Sequence, residues 1–179
     1  MKLIDLTHTF TNNMPVYPGD AKPEIMQTAF LKEHGYNDFT VKTGMHVGTH
    51  MDAPLHFIAG GKRLSEYPPE KFIGRGVLIN ARGHAEIGVE LLKNIDWSIC
   101  SHVLVHCNMS KKYRLASGEP NADYFEHYPV LTEDFARELV KRGVKMIGLD
   151  SCSPDKSPFP VHKILLGADI LIIENLTNL

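Results

Sequence analysis

Apolar and polar positions change period several times along the chain, and the changes mark out its elements. Residues 24–31 and 38–45 alternate with a period of two, the pattern of half-covered strands. "GRGVLIN" (74–80) and "SHVLVHC" (101–107) carry short apolar runs of strand length, and "GVELLKN" between them fits a short helix. "LTEDFARELVKRG" (131–143) has helical spacing and complete end signals. Thr132 is placed to cap it, Glu133 and Asp134 sit where the helix dipole favours negative charge, Lys141 and Arg142 fill the last turn, and Gly143 follows. Phe135, Leu139 and Val140 form its predicted buried stripe. "VKMIGLD" follows at once as a strand, so residues 102–149 read as a βαβ unit with a parallel pair. Residues 2–6 read as a first strand ahead of the turn-rich "NNMPVYPGD". "SPDKSPFPVHKILLG" (153–167) is expected to close into a short helix, and "ADILIIENL" (168–176) to form a last strand. This order predicts an α/β fold with a mixed sheet. No repeat or composition break divides it, so residues 1–179 read as one domain.

Composition narrows the class. A hydrophobic fraction of 43% and a charged fraction of 22% are those of an ordinary globular protein. The formal net charge of −2, with no basic stripe, gives no reason to expect a nucleic-acid partner. No apolar stretch approaches the ~20 residues of a membrane span, so no membrane partner is expected. "MKLIDLTHTF" lacks a signal peptide's apolar core, and Cys100, Cys107 and Cys152 show no CxxC spacing. Both features fit a reducing, cytoplasmic setting. Cys107 reads as a small buried apolar residue rather than a nucleophile.

The 10 histidines are many for 179 residues, so their placement carries information. "HVGTHMDAPLHF" (46–57) holds His46, His50, Asp52 and His56 at even spacings. In one extended strand all four would share a face, but ten residues at ~3.3 Å each would spread His46 and His56 about 33 Å apart. In a helix Asp52 would be rotated roughly 200° from His50. Metal ligands must all lie about 2.0–2.2 Å from the ion, so a single site requires this segment to curl. Gly48 permits an unusual backbone at the bend, and Pro54 stops a strand or helix from running on. The motif is expected on a loop after a strand. The bland reading is a set of structural or solvated histidines that happen to be close.

Glu174 lies inside "ILIIENL", a run otherwise suited to a sheet interior. An ionised carboxylate there costs several kcal/mol unless it is paired or bound to a cation. The alternative is a Glu174 that faces solvent near the chain end. His162 follows Pro160 at the start of the presumed short helix. Alone it would read as structural; with Glu174 it resembles half of a second ligand set.

"HVGTHMDAPLHF" resembles the H-x-G-T-H-x-D-x-P-x-H motif of the cyclase-family metal-dependent hydrolases, whose members include bacterial kynurenine formamidases (arylformamidases) and isatin hydrolases. "IDLTHTF", "MPVYPGD", "GLDSCSPD" and "FPVHKILLGADILIIENLTNL" extend the similarity along the chain. The resemblance implies the family's swivelling β/β/α fold, a single domain with a mixed sheet or barrel-like core. It implies that His46, His50 and Asp52 hold one divalent ion, that Asp52, His162 and Glu174 hold a second, and that His56 stays off the metal as general acid/base. It also implies a site near a subunit interface of a homodimer or homotetramer. The donor set is imidazole and carboxylate without thiolate, which suits zinc or manganese. Two such ions share a water, lower its pKa toward about 7 and polarise a carbonyl, so a metal-bound hydroxide attacks an amide while His56 protonates the leaving nitrogen. The small-molecule substrate expected first is N-formylkynurenine, cleaved to kynurenine and formate. The alternatives are another cyclic amide or ester, as in isatin hydrolases, and a non-catalytic metal-binding protein.

Two departures from the family pattern stand out. Tyr17 is expected to stack on the substrate, where kynurenine formamidases carry tryptophan. Family members usually continue past "ENLTNL", whereas this sequence stops at Leu179, and a truncated chain, a short natural variant and a missing tail stand as alternatives. Asp150, at the end of a predicted parallel strand, is expected to support the loop bearing Ser153. His8, His34, His84, His102, His106 and His127 read as structural or solvated, and "SKKYR" (110–114) as an exposed charged loop.

Overall fold

A computed structural model describes residues 2–114, 121 and 123–179. The chain begins with a hairpin of β1 (Glu24–Ala29) and β2 (Asp38–Lys42), joined through the single turn α1 (Leu31–His34) and Gly35 in the left-handed region. β3 (His50–Asp52), β4 (Gly76–Asn80), the short β5 (Glu86–Ile87) and β6 (His102–His106) follow. Then come α2 (Asp123–Glu126), β7 (Val130–Leu131), α3 (Glu133–Lys141), β8 (Met146–Leu149), α4 (Pro160–Gly167) and β9 (Leu171–Glu174).

The main sheet has five strands in the order β3-β9-β8-β6-β4. β4, β6, β8 and β9 run parallel, and β3 is added antiparallel at the edge. The mixed α/β architecture is therefore as expected, but the sheet is open and not barrel-like. β6 and β8 pair in parallel with Val103 opposite Ile147, so the βαβ unit forms as its sequence pattern predicts. Every residue of β8 is buried, the consequence of a continuous apolar run covered on both faces.

The sheet organises the site. β8 ends in the buried run Asp150–Ser151–Cys152–Ser153, and β9 ends at Glu174. Sites in α/β sheets form beyond the carboxyl ends of such parallel strands. β3 delivers a second chain segment to the same edge, with His50 opposite Glu174 and Asp52 opposite Ile172.

Several local expectations change. Residues 2–6 form no strand; Thr177 N donates to Leu6 O, but a ladder needs a longer partner. That partner is interrupted by Asn175 and Asn178, both in the left-handed region. The two alternating segments do pair with each other, yet outside the main sheet, so their alternation produces no buried face: all of β2 is exposed. "GVELLKN" yields only a 3-10 turn, Val89–Leu92. Val140 is 37% exposed, and Ala136 joins Phe135 and Leu139 in the buried stripe of α3. "SKKYR" is not wholly exposed, because Tyr113 is buried and stacks on His8 at 3.9 Å.

Candidate metal centre

The motif segment curls as its spacing requires, though part of it is strand rather than loop. Gly48 takes φ +69°, which turns the chain into β3. His50 and Asp52, two residues apart on β3, share a face. Pro54 then opens a 3-10 turn, Pro54–His56, that swings the His56 ring back until it stacks on His46 at 3.9 Å. The Gly48 carbonyl accepts hydrogen bonds from His50 Nδ1 at 2.9 Å and Asn175 Nδ2 at 3.0 Å. With its Nδ1 proton so engaged, His50 presents the Nε2 lone pair to the site.

The distant residues meet this segment. His162, on the first turn of α4, places Nε2 3.3 Å from Glu174 Oε1 and 3.8 Å from Asp52 Oδ2. His50 Nε2 lies 3.4 Å from Glu174 Oε2 and 3.5 Å from Asp52 Oδ1, and His46 Nδ1 lies 2.8 Å from the same Asp52 oxygen. Glu174 therefore faces inward, which removes the solvent-facing alternative. Ligand atoms of His46, Asp52 and His56 lie within 4.8 Å of one another, as do those of His50, Asp52 and Glu174. Asp52 belongs to both groups, His56 to the first and His50 to the second, and the His46 and His50 rings, 5.0 Å apart, both approach Asp52 Oδ1.

The residues fit a divalent cation. His50 Nε2 is a buried atom left without a hydrogen bond, although it lies within 3.5 Å of the Asp52 and Glu174 carboxylates. Two carboxylates buried this close repel unless positive charge lies between them. Burial pushes the Glu174 carboxyl up, and the nearby Asp52 charge adds to this against the His162 hydrogen bond. Burial also acts to raise Asp52, but the His46 hydrogen bond and the neighbouring imidazoles hold it below the usual carboxylate range. For His162, burial opposes the charge, yet its bonds to Asp155 and Glu174 push the imidazole up to about 9. Cys152 also borders the cleft, but burial keeps its thiol protonated and leaves the donor set to imidazole and carboxylate.

Two positioning residues escape the sequence reading. Asp155 Oδ1 pairs with His162 Nδ1 at 2.5 Å, and Oδ2 accepts from Val161 N at 2.6 Å and His162 N at 3.3 Å. One carboxylate thus caps α4 and fixes the His162 tautomer with Nε2 inward. Its only sequence signal was the Asp seven residues ahead of a histidine in a proline-rich loop. Asn175 holds Gly48 through Nδ2 and accepts from Tyr124 at 2.8 Å through Oδ1. Asp150 supports a different loop from the one expected: it accepts from Cys107, Met109 and Ser110 backbone N–H groups, not from the segment carrying Ser153. The six other histidines do not border the cleft.

The cleft has a volume of ≈ 290 Å³, suited to a small molecule. Besides the imidazoles and the Glu174 carboxylate, the rings of Tyr17, Phe57, Phe125 and Phe159 line it. Tyr17 meets Phe125 edge-on at 5.8 Å.

Comparison with known proteins identifies the family. A kynurenine formamidase from Geobacillus thermodenitrificans (strain NG80-2) is 30% identical over 97% of this chain and 81% of its own length. The solved isatin hydrolase A from Labrenzia aggregata, bound to benzyl benzoate, superposes with a TM-score of 0.77 at 25% identity, covering 98% of this chain and 80% of that one. A potential metal-dependent hydrolase with cyclase activity shares the fold, with a TM-score of 0.76 at 24% identity over 98% and 81% of the two chains. The family model described as putative cyclase matches residues 4–156, so the chain belongs to the cyclase family of metal-dependent hydrolases.

Proposed function

We propose that this chain is an amidohydrolase that cleaves a small amide attached to an aromatic ring, with N-formylkynurenine, giving kynurenine and formate, as the foremost substrate. The observation that carries this reading is the convergence of His46, His50, His56, His162 and Glu174 on a cleft that Tyr17, Phe57, Phe125 and Phe159 also line, with the buried Asp52 2.8 Å from His46 Nδ1 and 3.5 Å from His50 Nε2. The kynurenine formamidase relative supports the choice of substrate.

In this reading His46, His50 and Asp52 hold one divalent ion and Asp52, His162 and Glu174 a second, with zinc first and manganese next. Such ions supply Lewis-acid activation of a carbonyl and of water. The side chains do the rest. Asp155 and the Gly48 carbonyl keep His162 and His50 in the tautomers that turn Nε2 inward. His56 takes a proton from the attacking water and returns it to the leaving nitrogen. Burial, followed by the neighbouring His46, lowers the His56 pKa, so its neutral form is available to accept that proton near neutrality. Tyr17 and the phenylalanines receive the ring.

The same walls would take a cyclic aromatic amide, and the isatin hydrolase likeness favours that as a second reading. We further propose that residues 1–179 act as one domain, that the chain works as a homodimer or homotetramer, and that it resides in the cytoplasm. Three free cysteines fit a reducing compartment, and no helix among the described residues is long and apolar enough to cross a membrane.

The decisive measurement is metal content together with turnover of N-formylkynurenine and isatin. Two metal equivalents with formate release support the reading. Two equivalents with isatin opening alone move the substrate to the cyclic amides, and an intact centre with neither activity discards both.

A further inference from the structure

Phe159 breaks two local rules at once. Its backbone sits at φ 60° and ψ 51°, the left-handed region in which Cβ crowds the following carbonyl. A bulky side chain there is an outlier, and such outliers gather at ligand clamps. Phe159 also occupies the N-cap position of α4 and offers no side-chain acceptor. The capping is done by Asp155, whose Oδ2 accepts from Val161 and His162 N–H groups. Asparagine would suit this position on both counts, since it tolerates the left-handed region and caps helices. Nothing in the backbone or the helix end calls for a phenyl ring.

The ring has a different setting. It borders the cleft, with its centroid 5.3 Å from Phe57 and 5.7 Å from His162, the latter contact edge-on at 86°. Phe57 in turn lies 4.6 Å from His162. Two rings therefore make an apolar corner against His162, an imidazole of the candidate metal centre. Phe159 remains only partly buried, so ring surface is left for a ligand.

We propose that Phe159 is a specificity-determining residue: its strained backbone aims the ring into the cleft, where it selects amides carrying a flat ring next to the scissile bond. The inference rests on the amidohydrolase reading for its kinetic assay. A flat ring packs offset or edge-on against the Phe159–Phe57 corner, whereas a saturated ring of equal carbon number is too thick and has no π-face. Aromatic pairing of this kind corresponds to roughly 3- to 10-fold in affinity.

The test compares native protein, Phe159→Asn and Phe159→Leu, all metal-loaded. Substrates are formanilide and N-formylcyclohexylamine, and non-reacting ligands are benzamide and cyclohexanecarboxamide, whose affinities are read by calorimetry. The Asn variant is expected to keep its metal and to melt no lower than native protein. Its preference for formanilide should fall by roughly 3- to 10-fold, through KM rather than kcat. The Leu variant, which retains an apolar side chain of similar size without a ring, should lose the same preference. An unchanged preference in both variants overturns the inference. So does an equal loss on both substrates with a lower melting temperature, which makes Phe159 a structural support of α4. If native protein cleaves neither formamide, the kinetic arm is silent and calorimetry decides alone, while the amidohydrolase reading stands or falls on N-formylkynurenine and isatin. Native preference for benzamide that disappears in the variants upholds the role of Phe159, and no native preference ends it.

Discussion

At the scale of single residues, His56 is the most exacting case, because its position admits two roles. Its ring stacks on His46 at 3.9 Å, and its nitrogens lie within 4.8 Å of ligand atoms on His46 and Asp52. A ligand and a proton carrier differ in what their removal does to the metal. His56→Ala is expected to leave metal content unchanged and to lower kcat by about 10²- to 10⁴-fold, the usual contribution of a general acid/base. Elemental analysis beside the rate assay separates the roles, since loss of a metal equivalent would make His56 a ligand. The pH profile adds a sign. Burial and then His46 lower the His56 pKa from its ordinary 6.5, so the neutral, proton-accepting form persists below that pH. The acid limb of activity carried by His56 should therefore lie under 6.5. The four residues of this motif were legible in the sequence because their spacing and their breakers, Gly48 and Pro54, are local. Asp155 was not, because its pairing with His162 depends on where α4 starts and which way its first turn faces.

At the scale of elements, the segment that carries His56 has little regular structure of its own. Between β3 and β4 lie only three 3-10 turns, Pro54–His56, Leu64–Glu66 and Pro69–Lys71. Asp169, in the turn between α4 and β9, anchors this segment. Its carboxylate accepts from Lys62 Nζ at 2.6 Å and Tyr67 Oη at 2.6 Å, and its carbonyl accepts from Lys71 Nζ at 2.6 Å. Asp169 sits at φ 61°, a conformation asparagine also tolerates, so Asp169→Asn removes the charge while keeping the turn. The side chain is partly exposed, and solvent screening limits the expected loss to about 1 kcal/mol at pH 7. The hydrogen bond from Lys62 and then that from Tyr67 hold the Asp169 carboxyl below its ordinary 3.8. The stabilisation is thus complete above 3.8 and lost as pH falls through the lower folded value. Urea denaturation of the two proteins at neutral pH and well below pH 3.8 checks this, with the difference expected to shrink at the acid end. An undiminished gap in acid would mean that charge is not the cause. Elements with local signals were read correctly. Thr132 caps α3 by accepting from Phe135 N at 3.2 Å, and Gly143 ends it at φ +67°. Residues 2–6 failed because strand formation needs a partner that no local pattern reveals.

At the scale of the whole molecule, the β1–β2 hairpin is the feature least explained by the chain alone. Two strands without further cover are marginal in water, yet this pair shares no ladder with the main sheet. Phe39 and Val41, 55% and 54% exposed, lie on one face, with Ile25 paired opposite Val41. Met26 is exposed on the other face, and Phe30, Leu31 and Tyr36 extend the apolar surface around the turn. Exposed apolar side chains gathered on one short hairpin mark a candidate interaction site. The sequence alternation here was therefore a sign of cover without an indication of its source. A second copy of the chain is the partner that the proposed homodimer supplies, and a specific interface needs about 800 Å² from each partner. The hairpin follows directly on the segment of Tyr17 and Asp20, both of which border the cleft, so an interface there would also hold the cleft rim in place. Sedimentation at micromolar concentration should give a dimer or tetramer for the native protein. The double substitution Phe39→Asp and Val41→Asp should shift it to monomer, because two unpaired charges cannot be desolvated at an apolar contact. In that monomer the metal content should be unchanged while KM rises, since His46 to Glu174 are supplied by one chain and Tyr17 loses its support. A native protein that sediments as monomer, or a variant that remains a dimer, would place the subunit contact elsewhere or remove it.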